Sequence, residues 1–153
     1  MADGVKVVSR NRKAHHDYEI LDVLEAGVVL MGSEIKSIRA GKANITEGFV
    51  QIKGRELWLL NVHIAVYDEA GVFGHEALRP RKLLLHKKEI VRLQARVREK
   101  GLTIVPLQLY LKNRRVKVEI GIGRGKKNYD KRESLRQKDA SRQVSRALKE
   151  HVR

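Results

Sequence analysis

Whatever hydrophobic core this chain builds has to come from the residues ahead of Gly125. The stretch 125–153 holds 10 Lys/Arg, and its apolar side chains are limited to Leu135, Ala140, Val144, Ala147, Leu148 and Val152. The last five fall at helical spacing. Small, scattered side chains cannot hold an isolated helix, which is marginal in water below ~15 residues. The expected organisation is a folded domain over 1–124 and a basic tail over 125–153 that is disordered alone and helical when bound.

Charge is divided just as unevenly. From Met1 to Leu78 there are 9 Lys/Arg against 11 Asp/Glu (−2), and from Arg79 to Arg153 there are 24 against 7 (+17), which together make the net +15. Such a field opposes compaction and is relieved by a polyanion, so nucleic acid is the first partner expected, with a salt-dependent affinity. A hydrophobic fraction of 42% argues for a real core despite 33% charged residues. Without cysteine there are no disulfides, thiolate metal sites or thiol nucleophiles. No apolar run approaches the ~20 residues of a membrane span, and Met1-Ala-Asp-Gly-Val-Lys6 lacks a secretory apolar stretch. A soluble, cytoplasmic, monomeric protein with no membrane partner is expected.

Strand signals dominate up to Gly125. Asp17–Leu24 and Gly27–Met31 predict a hairpin about Gly27, and Ser33 predicts an N-cap for a short helix stopped by Gly41. Phe49–Lys53 and Glu56–Ala65 predict a second hairpin across Gly54-Arg55, and Tyr67–Pro80 reads as a loop. His86–Lys100 has Ile90, Leu93 and Val97 on one face and Gly101 as its stop, an amphipathic helix. Leu102–Leu111 and Arg115–Ile122 predict a third hairpin, with Pro106 at an edge or a bulge. Short strands with two or three short helices predict a mainly β fold, a small closed, Greek-key-like barrel similar to the OB-fold.

Several motifs invite chemistry. Gly121-Ile-Gly-Arg-Gly-Lys126 lacks the first Gly and the hydroxyl residue of a Walker loop, so it reads as a flexible exit from the last strand. His15, His16, His63, His75, His86 and His151 show no metal spacing. His15-His16 beside Arg12-Lys13 suits an RNA backbone or base, while His86 can simply open its helix. No Ser/His/Asp or paired-carboxylate arrangement stands out, and no cofactor is expected. Glu25 is either a solvated turn residue or an acceptor for an RNA base or sugar. The clusters Arg79-Pro-Arg-Lys82 and Lys112-Asn-Arg-Arg115 are solvated loops or the lining of a groove. Tyr129, set among Lys126-Lys127 and Lys131-Arg132, is a spectator or a stacking platform.

Read together, the segments Asn11-Arg-Lys-Ala-His-His-Asp-Tyr18, Glu25-Ala-Gly27, Gly32–Ile45, Arg81–Ile90, Tyr110-Leu-Lys-Asn113 and Gly125–Glu133 resemble the SsrA-binding protein family (small protein B), the partner of transfer-messenger RNA. The sequence departs where Val66 and Ala77 stand in place of prolines frequent in the family.

The resemblance implies a non-enzymatic RNA-binding adaptor of trans-translation whose barrel clamps the tRNA-like end of transfer-messenger RNA. By position it implies RNA contacts from Asn11, Arg12, Tyr18, Glu25, Arg39, Lys42, Lys82, Leu84 and His86. It further implies a tail that enters the vacant messenger channel of the small ribosomal subunit through Lys126, Lys127, Tyr129, Asp130, Lys131 and Arg132. Partners implied through the RNA are elongation factor Tu and alanyl-tRNA synthetase. A structural ribosomal protein with a tail threaded into rRNA is the alternative, and an RNA-modifying enzyme the third.

Overall fold

A computed structural model describes residues 4–66 and 75–126. Along the chain run β1 (Val5–Arg10), α1 (Arg12–Asp17), β2 (Tyr18–Val28), α2 (Gly32–Arg39), β3 (Ala43–Asn44), β4 (Phe49–Lys53), β5 (Glu56–Leu60), β6 (His63–Ile64), β7 (Arg81–Leu84), α3 (Lys87–Lys100), β8 (Thr103–Lys112) and β9 (Arg115–Gly125). Seven strands form one antiparallel sheet in the order β1-β8-β9-β2-β7-β5-β4, and β3 pairs with β6 in a separate ribbon.

Strand alternation sets the two faces. Leu109, Val118 and Ala26 share one register row and Leu83, Leu57 and Ile52 another; all belong to the main core except Ile52, which packs against it. Helix α3 closes that core with Ile90 and Leu93, which are buried, and Val97. Gly101 ends the helix in the left-handed conformation expected of a glycine C-cap (φ 64°). The β4–β5 and β8–β9 hairpins form where alternation predicts them, the first turning at Gly54 with φ 61°.

Five expectations change. The sheet is not closed into a barrel. β4 packs against β8 without a ladder, and the chemistry of β8 explains why. Pro106 offers no N–H, the register slips between Pro106 and Gln108, and Asn11 already occupies the carbonyls of Pro106 (2.9 Å) and Leu107 (2.8 Å). There is also no hairpin at Gly27. β2 runs straight through, with Gly27 paired to Lys117 on one side and Leu84 on the other. Met31, not Ser33, caps α2, because the Glu34 carboxylate accepts from the Met31 N–H at 2.7 Å. The strand from Glu56 stops at Leu60, ahead of Asn61 at φ 57°.

The fifth change concerns the glycine run, which is strand and not a flexible exit. Gly121 and Gly123 lie inside β9, and a Cβ on Gly121 would come within 2.7 Å of Leu107 Cδ1. These glycines serve by lacking a side chain. Over them sits a second small core of Ala14, Val105 and Leu107 with Tyr18 and Ile20, beneath α1. Neither α1 nor β1 is among the elements that the sequence pattern predicts. Of the expected loop, 67–74 lies outside the described residues, and 75–80 contains no strand or helix. The tail from 127 onward likewise lies outside the described residues.

Candidate nucleic-acid interface

The face of the sheet turned away from the main core carries a polar row. Tyr110, Lys117, Gly27 and Leu84 follow one another across β8, β9, β2 and β7, and Lys82, Trp58 and Gln51 continue on β7, β5 and β4. Glu25 stands one outward position from Gly27. Its Oε2 accepts from the Tyr110 hydroxyl at 2.5 Å and from Lys112 Nζ at 3.4 Å. The Tyr110 hydrogen bond, ahead of the lysine charges, holds the Glu25 carboxyl below its ordinary value. Burial, reinforced by Glu25, pushes the Tyr110 phenol up. Glu25 therefore stays an acceptor with its side chain 38% exposed. None of the hydrogen bonds among the described residues falls on its second oxygen, Oε1.

Beside this acceptor lies an apolar surface. Leu84 is 51% exposed and lies across from Gly27, where a Cβ would make only ordinary van der Waals contact with it at 3.4 Å. Lys82 is half-exposed and ion-paired to Glu56 at 3.0 Å. His86 is exposed at the N-cap of α3, two residues on from Leu84. At the other side of Glu25, the β8–β9 turn carries Asn113 and Arg114 at φ 50° and 68°. A two-residue hairpin turn of this hand demands positive φ at both positions, which is unfavourable for arginine. Arg39 donates to the Arg114 carbonyl at 3.5 Å, so α2 brings its cation to this turn, while Lys42 is exposed just beyond α2.

The structure does not gather all the expected RNA residues. Arg12 and Tyr18 sit at the α1 end of β2, about 20 Å along the strand from Glu25. Arg12 is exposed there. Tyr18 is half-buried in the small core, where burial raises its phenol. Asn11 is buried: its Oδ1 accepts from the Ala14 N–H at 3.0 Å and its Nδ2 donates to Pro106. Its side chain holds α1 onto the β8 bulge and faces the protein. Lys126 lies at this same end, donating to the His15 carbonyl at 3.1 Å. Lys127, Tyr129, Asp130, Lys131 and Arg132 are outside the described residues.

Half of the Arg79-Pro-Arg-Lys82 cluster faces inward. Glu34 and Arg81 are both 0% exposed. Arg79 Nη2 reaches Glu34 Oε1 at 2.5 Å and Arg81 Nε reaches Oε2 at 2.6 Å. Arg81 also donates to the carbonyls of Val62 and Ala77. Burial alone would raise the Glu34 carboxyl, but donors from Arg79, Met31 and Arg81 outweigh it and hold it low. Nearby, buried His75 meets the Ser33 hydroxyl and the Ile64 carbonyl, each at 2.9 Å. Only Lys82 of the cluster reaches the open face. Conversely, Tyr110 and Lys117 belong to that face and were not singled out. The signal was the outward period of two through Gln108, Tyr110 and Lys112 opposite Lys117 and Glu119.

A sheet face with a strand-borne acceptor, a bare leucine and flanking cations suits an unstacked base and its backbone. Comparison with known proteins gives the family. The family model described as "SmpB protein" matches residues 8–150. The chain belongs to the SmpB family. It is 55% identical over 150 residues to the SsrA-binding protein of Chloroflexus aggregans, covering 97% of this chain and 95% of that one. Identity to the SsrA-binding protein of Roseiflexus castenholzii is 57% over 149 residues, covering 97% and 94%. A solved SmpB-family structure, described as "tmRNA-SmpB: a journey to the center of the bacterial ribosome", shares 48% identity at a TM-score of 0.63, covering 76% of this chain and 82% of that one.

Proposed function

We propose that this protein is an RNA-binding adaptor of trans-translation. On this reading it grips the tRNA-like part of transfer-messenger RNA and accompanies it onto stalled ribosomes. One observation carries the reading beyond family membership: Glu25, Gly27 and Leu84 form an acceptor beside an apolar platform on an open sheet face. Glu25 meets the donor edge of an unstacked base or a 2′-hydroxyl, Leu84 packs on that base, and Lys82, Lys117, Arg39 and Lys42 take phosphates. Tyr110 orients Glu25.

The tail is a separate unit with a separate task. The described chain ends at Lys126, beside α1, at the far end of β2 from Glu25. In this reading Lys126, Lys127, Tyr129, Asp130, Lys131 and Arg132 enter an empty messenger channel, with Tyr129 stacked on a base. Elongation factor Tu and alanyl-tRNA synthetase meet the protein only through the RNA, in the cytoplasm, and the protein acts as a monomer.

Two full-length variants test the two tasks. Glu25→Ala with Leu84→Ala should weaken binding to the tRNA-like domain by about 1–3 kcal/mol, read by gel shift, with the fold intact by circular dichroism. Tyr129→Ala should leave that affinity unchanged and slow peptide transfer to charged transfer-messenger RNA on ribosomes with an empty channel. Wild-type RNA affinity in the folded double variant would refute the face, and wild-type transfer in Tyr129→Ala would refute the tail.

A further inference from the structure

The strongest feature left over by this reading is the outward side of α3. At 100° per residue, Lys87, Lys88, Val91, Arg92, Ala95 and Arg98 fall on one face, with Glu99 at its C-terminal end, opposite Ile90, Leu93 and Val97 in the core. All six are exposed, and Val91, at 59%, is among the most exposed large hydrophobic residues. The face runs about 16 Å from Lys87 to Arg98. Arg96, at its margin, is ion-paired with Asp22 at 3.0 Å. Among the described residues, no salt bridge holds Lys87, Lys88, Arg92 or Arg98.

These cations are placed against the stability of their own helix. Lys87 and Lys88 occupy the first turn, where the helix dipole favours negative charge. Lys88 and Arg92 are like charges at i and i+4, a destabilising pair. Among the described residues these four side chains have no ion-pair partner, which leaves them open to an external anion. The face also begins at His86, two residues past Leu84, so it continues the sheet face around its rim. Arg55 adds a further exposed cation beside Gly54, whose carbonyl accepts from Gln94 of α3.

We propose that the outward face of α3 is a second, sequence-independent RNA surface, which takes the phosphate backbone of a double-stranded RNA segment through Lys87, Lys88, Arg92 and Arg98. This rests on the RNA-binding reading above and extends it: the sheet face takes an unstacked base, and α3 takes paired RNA alongside. Val91 and Ala95, between the cations, keep the centre of the track low and free of hydration-demanding groups, so that the four charges can approach a backbone together.

The test uses the full chain carrying Lys88→Gln, Arg92→Gln and Arg98→Gln together, glutamine being as good a helix former as the residues replaced. The probe is a blunt 20-base-pair RNA duplex without loops, titrated across a series of salt concentrations. Each lost phosphate contact lowers the slope of log K against log salt by roughly 0.7–0.9, so the slope should fall by about 2–3, with affinity at low salt reduced tenfold or more. The melting temperature should hold or rise, because repulsion has been removed. A stable variant that binds the duplex with the wild-type slope and affinity overturns the proposal, leaving α3 a solvated face. Failure of the wider RNA-binding reading looks different, since wild type would then bind neither duplex nor tRNA-like domain. Should the triple variant lose its fold, the three single substitutions carry the same test at about 0.9 of slope each.

Discussion

Glu34 and Glu25 are two carboxylates with similar partners and opposite fates. Each is met by a donor from the chain's own backbone or side chains and by cations, and each is held below its ordinary value. Glu34 is 0% exposed, and both its oxygens are taken, by Arg79, Arg81 and the Met31 N–H. Glu25 keeps only Oε2 engaged and remains partly open to solvent. A satisfied, dry carboxylate ties α2 to the 75–81 segment and to β7. A half-satisfied, wet one is available to a ligand. Saturation and burial, not residue type, separate a structural carboxylate from one left open to a ligand here.

The comparison breaks most sharply at Glu34. Glu34→Gln leaves two arginines short of their counter-charge, one of them fully buried, and should cost about 3–5 kcal/mol in urea unfolding; Glu25→Gln should cost under 1 kcal/mol. Equal losses at the two sites would erase the distinction.

Acid titration is the next test. Because the folded Glu34 carboxyl lies below its unfolded value, its contribution is fully present above the unfolded value of roughly 4.3. It drains away as pH falls through the folded value. Unfolding free energy should therefore drop steeply below about pH 4, and the Glu34→Gln protein should lose that part of the acid dependence. An unchanged acid limb in Glu34→Gln would place the dependence elsewhere.

Tyr110→Phe sharpens the outer side. Losing the hydroxyl frees the Glu25 carboxylate to wander, and affinity for the tRNA-like domain should fall by about 1 kcal/mol with little change in stability. The Tyr110→Phe loss should vanish when Glu25 is already alanine. Additive losses would show that Tyr110 touches RNA on its own account. The smallest effect is expected at Arg114, whose positive φ is a strain carried next to the proposed RNA face. Arg114→Gly should raise stability by only about 0.5 kcal/mol, since the chain entropy of the new glycine offsets part of the relieved strain, read as a small shift in melting temperature.

Much of this was legible beforehand, where a local rule and the tertiary environment agreed. The hydrophobic stripe Ile90, Leu93, Val97 with Gly101 behind it makes α3 in any context that offers a core. The alternation through Val116, Val118, Ile120 and Ile122 makes β9, and Pro106 marks the bulge in the neighbouring β8. The motif string from Asn11 to Glu133 identified the family. What misled were residues whose role lies in a partner far along the chain. Gly27 reads as a turn, but it is a strand position laddered to Lys117 on one side and to Leu84, 57 positions on by number, on the other. Gly121 reads as flexibility, but it is a gap for Leu107.

The sequence by itself determined a polyanion partner, a mainly β fold and the family. Tertiary structure alone decided whether the sheet closes, because the bulge at Pro106 and the carbonyls held by Asn11 meet only in space. It also decided which cations are spent. Arg79 and Arg81 look no different from Lys82 in the sequence, yet only the fold brings Glu34, 45 and 47 residues away, against the first two. Charge is a local property of a side chain, whereas the solvation that gives it meaning is set by everything packed around it.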